Sequence, residues 1–295
     1  HRLLDRLAEH RIESGGSLYH AFGYIAAMHA EGLDFLSRPV LARVLNCDPR
    51  DLGPQVLMPL AKEAAAGGGS VLLTRHRRIA EAAVSIMSEE FGEDLVGRLE
   101  ELARSANAAR RDGAYVAELP RWEYDLPEHF LKAAPDSAVR LARCVFEADP
   151  ENAHFAVNLA RIHRECRDAA AGAEVLARFA GPVGNDRGFW FEWGTCAGNA
   201  GDLALSAALA GWSLADEAAP APPDNRQAKL SLAGLGVAFG ALQERFGDRR
   251  FDSGRSAVAW LGLQLDLDTK SRGYFERYRE NAEARGASTA SLDET

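Results

Sequence analysis

The chain has 295 residues, 47% of them hydrophobic, which is enough to bury the cores of two domains. Its net charge of -9 argues against a general nucleic-acid binder, because such proteins gain affinity from Lys and Arg that neutralise phosphates. No apolar run approaches the roughly 18 to 20 residues of a membrane span. The 4 cysteines are far apart in the sequence, so we expect reduced thiols, no bound metal and a cytoplasmic protein.

A helical pattern begins at the very start of the sequence. Leu3, Leu4, Leu7 and Ile12 recur at helical spacing, and no basic segment with a short apolar run precedes them. The pattern therefore does not indicate a signal peptide. We interpret the sequence as a fragment that follows an upstream module.

Residues 17 to 87 predict three helices followed by a β-hairpin. The helices are expected at 17–32, 37–47 and 48–58. Pro59 lacks a backbone N–H, so the third helix should end or kink there. Beyond it, LAKEAAAGGGSVLLTRH predicts two extended arms around a turn at 67–69, and 71–74 is the clearer strand. Three helices followed by a hairpin are typical of a winged helix.

The second half of the chain contains a repeat. Arg167-Asp168 aligns with Gly201-Asp202, and Gly172 aligns with Ser206, in each case at an offset of 34 residues. This offset is the period of helix–turn–helix solenoid repeats. Small residues at these positions would let the two helices of one unit approach closely.

A third copy of the repeat is predicted after the Pro-rich insertion 217–225. In this alignment Gly236 follows Gly194 by 42 residues, and the insertion accounts for the surplus over 34. Upstream, two amphipathic helices and a Pro-containing connector separate the repeats from the hairpin. We therefore divide the chain into a winged-helix-like domain with a leading helix (1–88), a helical connector (89–127), helical repeats (128–285) and a disordered tail (286–295).

These features resemble two parts of a known protein family. Over about 128–268, the 34-residue units resemble tetratricopeptide repeats in a degenerate form. The segment VLLTRHRRIAEAAV, 71–84, resembles the region after the P-loop module of STAND-type signal-transduction NTPases. Those proteins join an ATPase, a winged helix and a helical-repeat sensor. The resemblance implies a mainly α fold: a winged-helix-like domain with one small β-hairpin, followed by a tetratricopeptide-like α-solenoid.

The resemblance also implies a role for Arg75 and His76. In STAND proteins a histidine near the winged helix contacts the β-phosphate of the nucleotide, and His76 occupies the matching position. An anion would also suit the N-terminus of the helix that follows. The alternative is a polar hinge whose arginines are solvated. Because the chain has no P-loop motif, we expect no cofactor in this fragment, and ATP or ADP only in a full-length protein.

Six residues are candidates for a ligand-binding groove in the repeats. Mapping the inward-facing positions of the repeat onto the sequence gives His154, Arg161, Arg164, Phe191, Thr195 and Asn199. Arginines beside an exposed aromatic ring suit an extended peptide that carries carboxylates. The alternative is that Phe191 belongs to the core and that the arginines are solvated.

The sequence predicts a binding function and not catalysis. It contains no nucleophile motif such as G-x-S-x-G and no cluster with metal-ligand spacing, so we expect no catalytic residue and no metal site. The expected function is the regulatory or sensor region of a multidomain signalling NTPase. Its repeats would bind a protein or peptide, and its winged helix would contact the upstream NTPase domain. The alternative is a free-standing tetratricopeptide adaptor; membrane and nucleic acid are not expected partners.

Overall fold

The chain is mainly helical, as the sequence predicted, with 74% of its residues in helices. The computed structural model describes residues 1–295 except 14, 34, 64, 69–70, 181–185, 220 and 288–295. Most of the predicted tail, 286–295, therefore lies outside the described residues, as does Gly69 of the predicted turn. The chain divides into two compact units, 1–150 and 151–295.

Eight α-helices form most of the first unit within its described residues. They are α1 (Arg2–Glu9), α2 (Leu18–Ala30), α3 (Arg38–Val44), α4 (Met58–Glu63), α5 (Arg77–Ser85), α6 (Leu95–Arg111), α7 (Leu126–Phe130) and α8 (Pro135–Ala148). Three π-helical segments extend α4, α5 and α7. They are Gly53–Leu57 before α4, Ile86–Glu90 after α5 and Arg121–Asp125 before α7.

The predicted hairpin is confirmed, and a third short strand joins it. The strands are β1 (Leu36–Ser37), β2 (Ala65–Gly68) and β3 (Val71–Thr74). They pair antiparallel in the order β1-β3-β2, with Leu36 opposite Leu72. The sequence did not predict β1, because two residues are too few to show the alternation by which a strand is recognised.

The third predicted helix does not end at Pro59. α4 continues through the proline to Glu63, and the turn before it is π-helical, with the N–H of Met58 donating to the carbonyl of Gly53. The wider turn relieves the clash between the proline ring and the preceding turn of helix. The first extended arm is therefore shorter than predicted, and β2 begins only at Ala65.

The core of the first unit is built around α2. The side chains of Phe22, Ile25 and Met28 are fully buried, and α5 and α6 pack against this helix. The segment between α6 and α7 is also packed. Trp122 is fully buried, and the carboxylate of Glu118 accepts the backbone N–H of Ser37 at 2.7 Å. A carboxylate distant in sequence thus caps the N-terminus of α3.

The second unit consists of helices that pack in sequence. They are α9 (Ala153–Glu165), α10 (Ala169–Phe179), α11 (Arg187–Asn199), α12 (Leu203–Trp212), α13 (Asn225–Phe246), α14 (Arg249–Leu263) and α15 (Thr269–Ala284), with a 3-10 turn at Asp216–Ala218. α9 packs with α10, α11 with α12 and α13 with α14, and α15 follows. These packed helix pairs are consistent with a solenoid.

The first two pairs have the same turn at the predicted offset. Arg167, two residues after the end of α9, has φ 65°, and Gly201, two residues after the end of α11, has φ 94°. In each case an aspartate follows, Asp168 or Asp202, and its side chain accepts a backbone N–H in the first turn of the next helix. A left-handed residue followed by an N-cap residue reverses the chain in two residues.

Small residues hold the helices of each pair close together. A Cβ atom added to Gly172 of α10 would lie 2.7 Å from the carbonyl oxygen of Ala160 in α9. In the next pair the glycine is on the other helix. A Cβ atom added to Gly194 of α11 would lie 3.2 Å from the carbonyl oxygen of Ser206 in α12. The two contacts occupy equivalent positions of the repeat.

The third pair follows a different register from the one predicted. Its turn is Gly247-Asp248, with Gly247 at φ 67° and Asp248 capping α14. This turn lies 46 residues after Gly201-Asp202, not 42, a shift of about one helical turn. Gly240 therefore takes the place that Gly194 has in the second pair. Gly236 instead lies against the ring of Tyr278.

Candidate functional site

A groove of about 410 Å³ opens in the second unit between helices α11, α12, α13 and α15. α11 and α12 contribute Phe191, Gly194, Thr195, Gly198, Asn199, Leu203, Ser206 and Ala210. α13 and α15 contribute Leu230, Ala233, Gly234, Val237, Ala238, Tyr274 and Tyr278. This set of residues is called the groove below.

The groove exists because large apolar side chains stand around small ones. Gly234 of α13 has no side chain, and a Cβ atom there would lie 3.7 Å from the ring of Phe191. On either side of Gly234, Leu230 is 39% exposed and Val237 is 60% exposed, and Tyr274 of α15 is 42% exposed. Apolar side chains of this size are ordinarily covered when they are gathered around a concave surface.

No residue that lines the groove has a charged side chain. The polar groups of Thr195 and Asn199 form hydrogen bonds within their own helix, and that of Tyr278 bonds to a neighbouring helix. The hydroxyl of Thr195 donates to the carbonyl of Phe191 at 2.9 Å, and the amide nitrogen of Asn199 donates to the carbonyl of Thr195 at 2.8 Å. The hydroxyl of Tyr278 donates to the carbonyl of Ala233 at 3.3 Å, and burial raises the pKa of this phenol.

The structure brings three of the six predicted residues into the groove. Phe191, Thr195 and Asn199 line it, and Phe191 is partly exposed. His154, Arg161 and Arg164 are on α9, which contributes no residue to it. That all six contact one ligand remains a prediction.

Arg164 is paired within the protein. Its Nε donates to Oε1 of Glu192 at 2.8 Å, and one of its terminal nitrogens donates to Oε1 of Glu165, also at 2.8 Å. The Glu192 side chain is only 8% exposed. Burial by itself would lower the pKa of Arg164, but the hydrogen bond and charge of Glu192 raise it above its usual value. The positive charge of Arg164 thus compensates the negative charge of the buried Glu192 carboxylate.

The other two predicted residues of α9 form hydrogen bonds with nearby residues of the same helix or of its N-cap. A terminal nitrogen of Arg161 donates to Oδ1 of Asn158 at 3.1 Å. His154 is exposed in the first turn of α9, where its backbone N–H donates to Oδ1 of Asn152 at 3.0 Å. These two hydrogen bonds are local to α9 and its N-cap, and neither involves a residue of the groove.

Sequence reasoning missed the part of the groove that α13 and α15 provide. Leu230 and Val237 are seven residues apart on α13, and Tyr274 and Tyr278 are four apart on α15. Both spacings place the members of a pair on one helical face, which is the signal that could have found them. The incorrect register of the third copy concealed it.

The basic residues after the hairpin are at the start of α5, as predicted. His76 is exposed, and its backbone carbonyl accepts the hydroxyl of Thr74 at 3.0 Å. Arg75 donates to the carbonyl of Ala61 at 2.5 Å, and Arg77 donates to the carbonyl of Ala30 at 3.0 Å. These arginines therefore tie the start of α5 to α4 and to the end of α2.

The described residues contain no group of three or more His, Cys, Asp or Glu side chains placed to hold a metal ion. Burial raises the pKa of the Cys196 thiol to about 12 and that of Cys144 to about 11, so both are protonated near neutral pH. Of the helices within the described ranges, none has the length and apolar character needed to cross a membrane.

No family model matches the chain, and no curated protein matches it.

Proposed function

We propose that the second unit binds a peptide segment of another protein in the groove. The observation that carries the proposal is the set of exposed apolar side chains, Leu230, Val237 and Tyr274, around a concave surface of about 410 Å³. Covering apolar surface contributes roughly 25 cal/mol for each Å² removed from water. A peptide with large apolar side chains gains affinity here, and the glycines of the groove let its backbone approach.

We further propose that the chain is the regulatory or sensor region of a signalling NTPase. The resemblance of 71–84 to the region after the P-loop module of STAND proteins supports this, together with the order of helices and hairpin in the first unit. In this proposal the repeats are tetratricopeptide-like, and residues 1–88 of the first unit are the winged-helix-like domain. Peptide binding in the groove would alter the contact between that winged helix and the NTPase domain.

The alternative is an adaptor that binds proteins through the groove and never contacts a nucleotide. The two proposals differ at Arg75 and His76, because only the sensor would use this site for a phosphate of ADP. Titration of the full-length natural polypeptide with a fluorescent ADP analogue tests it, with His76→Ala as the variant. Binding that His76→Ala weakens favours the sensor. A P-loop ahead of residue 1 in the natural polypeptide would favour it as well.

Panning a library of random short peptides on the chain tests the peptide-binding proposal. Val237→Asp places a charge in the groove at an exposed position, so the fold should tolerate it while apolar peptides are rejected. Leu261→Asp is the matched control, because Leu261 is 47% exposed on α14, which contributes nothing to the groove. We expect peptides that bind the wild type and Leu261→Asp but not Val237→Asp. Equal binding to all three proteins would contradict the proposal.

A further inference from the structure

Two tyrosines of α15 form one wall of the groove, and an arginine lies against each of them. Tyr274 and Tyr278 are four residues apart and share one face of the helix. The guanidinium of Arg277 lies 4.8 Å from the ring centroid of Tyr274, and that of Arg255 lies 4.7 Å from the ring centroid of Tyr278. This tyrosine wall therefore carries two positive charges beside an uncharged groove.

Neither arginine forms an ion pair with a carboxylate among the described residues. Nε of Arg277 donates to the carbonyl of Gly273 at 3.1 Å, and Nε of Arg255 is buried without a hydrogen-bond partner. By contrast, Arg279 of the same helix pairs with Glu283 at 3.9 Å. The chain has 43 acidic residues and 34 basic ones, so carboxylates are in excess. A shortage of carboxylates in the chain therefore does not explain the two unpaired guanidiniums.

Resting on the proposed peptide-binding function, we propose that the partner is an apolar peptide segment that carries a carboxylate, and that Arg277 binds this carboxylate. Apolar side chains of the peptide occupy the space between Phe191, Val237 and Tyr274. The carboxylate, from Asp, Glu or a chain terminus, meets the exposed guanidinium at the rim. Stacking on Tyr274 and the bond to Gly273 hold the arginine in position, which reduces the entropy lost on binding. Arg255 adds positive potential behind Tyr278.

In this proposal the arginine that binds the peptide carboxylate lies on α15 and not on α9. The sequence suggested Arg161 and Arg164 for a carboxylate, but Arg164 is already neutralised by Glu192 at 2.8 Å. A second carboxylate at Arg164 would have to displace that buried one and leave it unpaired, which is costly. Within the described part of the chain, Arg277 has no such competitor.

The test uses the 295-residue chain and a groove-dependent peptide. This is a peptide from the panning above that binds the wild type and Leu261→Asp but not Val237→Asp. Peptide affinity is measured by fluorescence anisotropy for the selected sequence and for its uncharged counterpart, with Gln for Glu, Asn for Asp, or an amidated terminus. We expect the uncharged peptide to bind the wild type roughly tenfold more weakly, the usual size for a hydrogen bond to a charged group. On Arg277→Gln the two peptides should bind equally. On Arg277→Glu, a peptide with Lys at that position should bind best.

Arg272→Gln is the matched control, because it removes the same charge from another face of α15. It should keep the tenfold preference, and Arg277→Lys should keep a part of it. A thermal melt of each variant establishes that the fold is intact. Groove-dependent peptides that carry no carboxylate, or a preference that survives Arg277→Gln, would overturn this inference and leave the peptide-binding proposal standing. The absence of any groove-dependent peptide would remove both.

Discussion

Arg164 of α9 and Glu192 of α11 form an ion pair across two successive helix pairs, with 2.8 Å between Nε and Oε1. The side chains are 21% and 8% exposed. A carboxylate this buried requires a charged partner, because removing it from water costs several kcal/mol. The pair therefore holds the two repeats together. Arg164, which the sequence suggested as a ligand contact, stabilises the fold.

Arg164→Ala should destabilise the chain by about 2 to 4 kcal/mol, because it leaves Glu192 buried and unpaired. The measurement is the free energy of unfolding in urea. Arg178→Ala is the control, since Arg178 and Glu174 pair at 3.4 Å with side chains that are 82% and 71% exposed. An exposed pair of this kind contributes about 0 to 1 kcal/mol. Equal losses for the two variants would contradict a structural role for Arg164.

Phe191→Ala should lower the affinity for a groove-dependent peptide more than it lowers the stability of the fold, because the ring is partly exposed in the groove. Phe189→Ala provides the comparison from the same helix. Phe189 is fully buried, so its truncation should cost about 3 to 5 kcal/mol of stability. Binding titrations beside thermal melts separate the two effects. If Phe191→Ala melts as early as Phe189→Ala, the ring belongs to the core.

Gly172→Ala should destabilise the second unit by about 1 to 3 kcal/mol. Its new Cβ atom would lie 2.7 Å from the carbonyl oxygen of Ala160, which is backbone and cannot turn away. Gly211→Ala, in α12, should instead stabilise by about 0.5 to 1 kcal/mol, because nothing lies within 4 Å of its Cβ position and alanine favours helix. In thermal melts we expect Gly172→Ala to lower the melting temperature and Gly211→Ala to raise it. If both variants raise it, the helices have room to separate.

Glu123→Gln should stabilise the first unit at neutral pH. Burial raises the pKa of Glu123, with Arg110 opposing the shift and Asp149 adding to it. The folded state therefore holds the proton more tightly than the unfolded state, and the carboxylate lowers stability as the pH rises through the folded pKa. The advantage of the variant should be present at pH 7 and vanish in acid, where the wild-type carboxyl is protonated.

Urea titrations of the first unit's unfolding at several pH values measure this difference. Glu9→Gln, at an exposed position of α1, corrects for the general loss of one negative charge. A variant that is less stable than the wild type at pH 7 would show that interactions of the ionised Glu123 outweigh its cost of burial.

The helical class, the hairpin and the 34-residue repeat of the first two pairs could all be predicted from the amino-acid sequence. These follow from local rules. Apolar residues at helical spacing fix the helices, and the left-handed residues Arg167 and Gly201, each followed by an aspartate, fix the turns. Phe191, Thr195 and Asn199 could be placed at one surface because they lie at helical spacing on a single helix, α11.

The contacts between residues of different helices could not be predicted in this way. The register of α13 depends on its 22-residue length, which the alignment with the shorter α9 and α11 could not supply. The neutralisation of Arg164 depends on Glu192, 28 residues away, and the groove depends on α11, α12, α13 and α15 lining one concave surface. Such contacts arise from packing between helices, where shape and charge are matched across the chain, and no local pattern in the sequence encodes them.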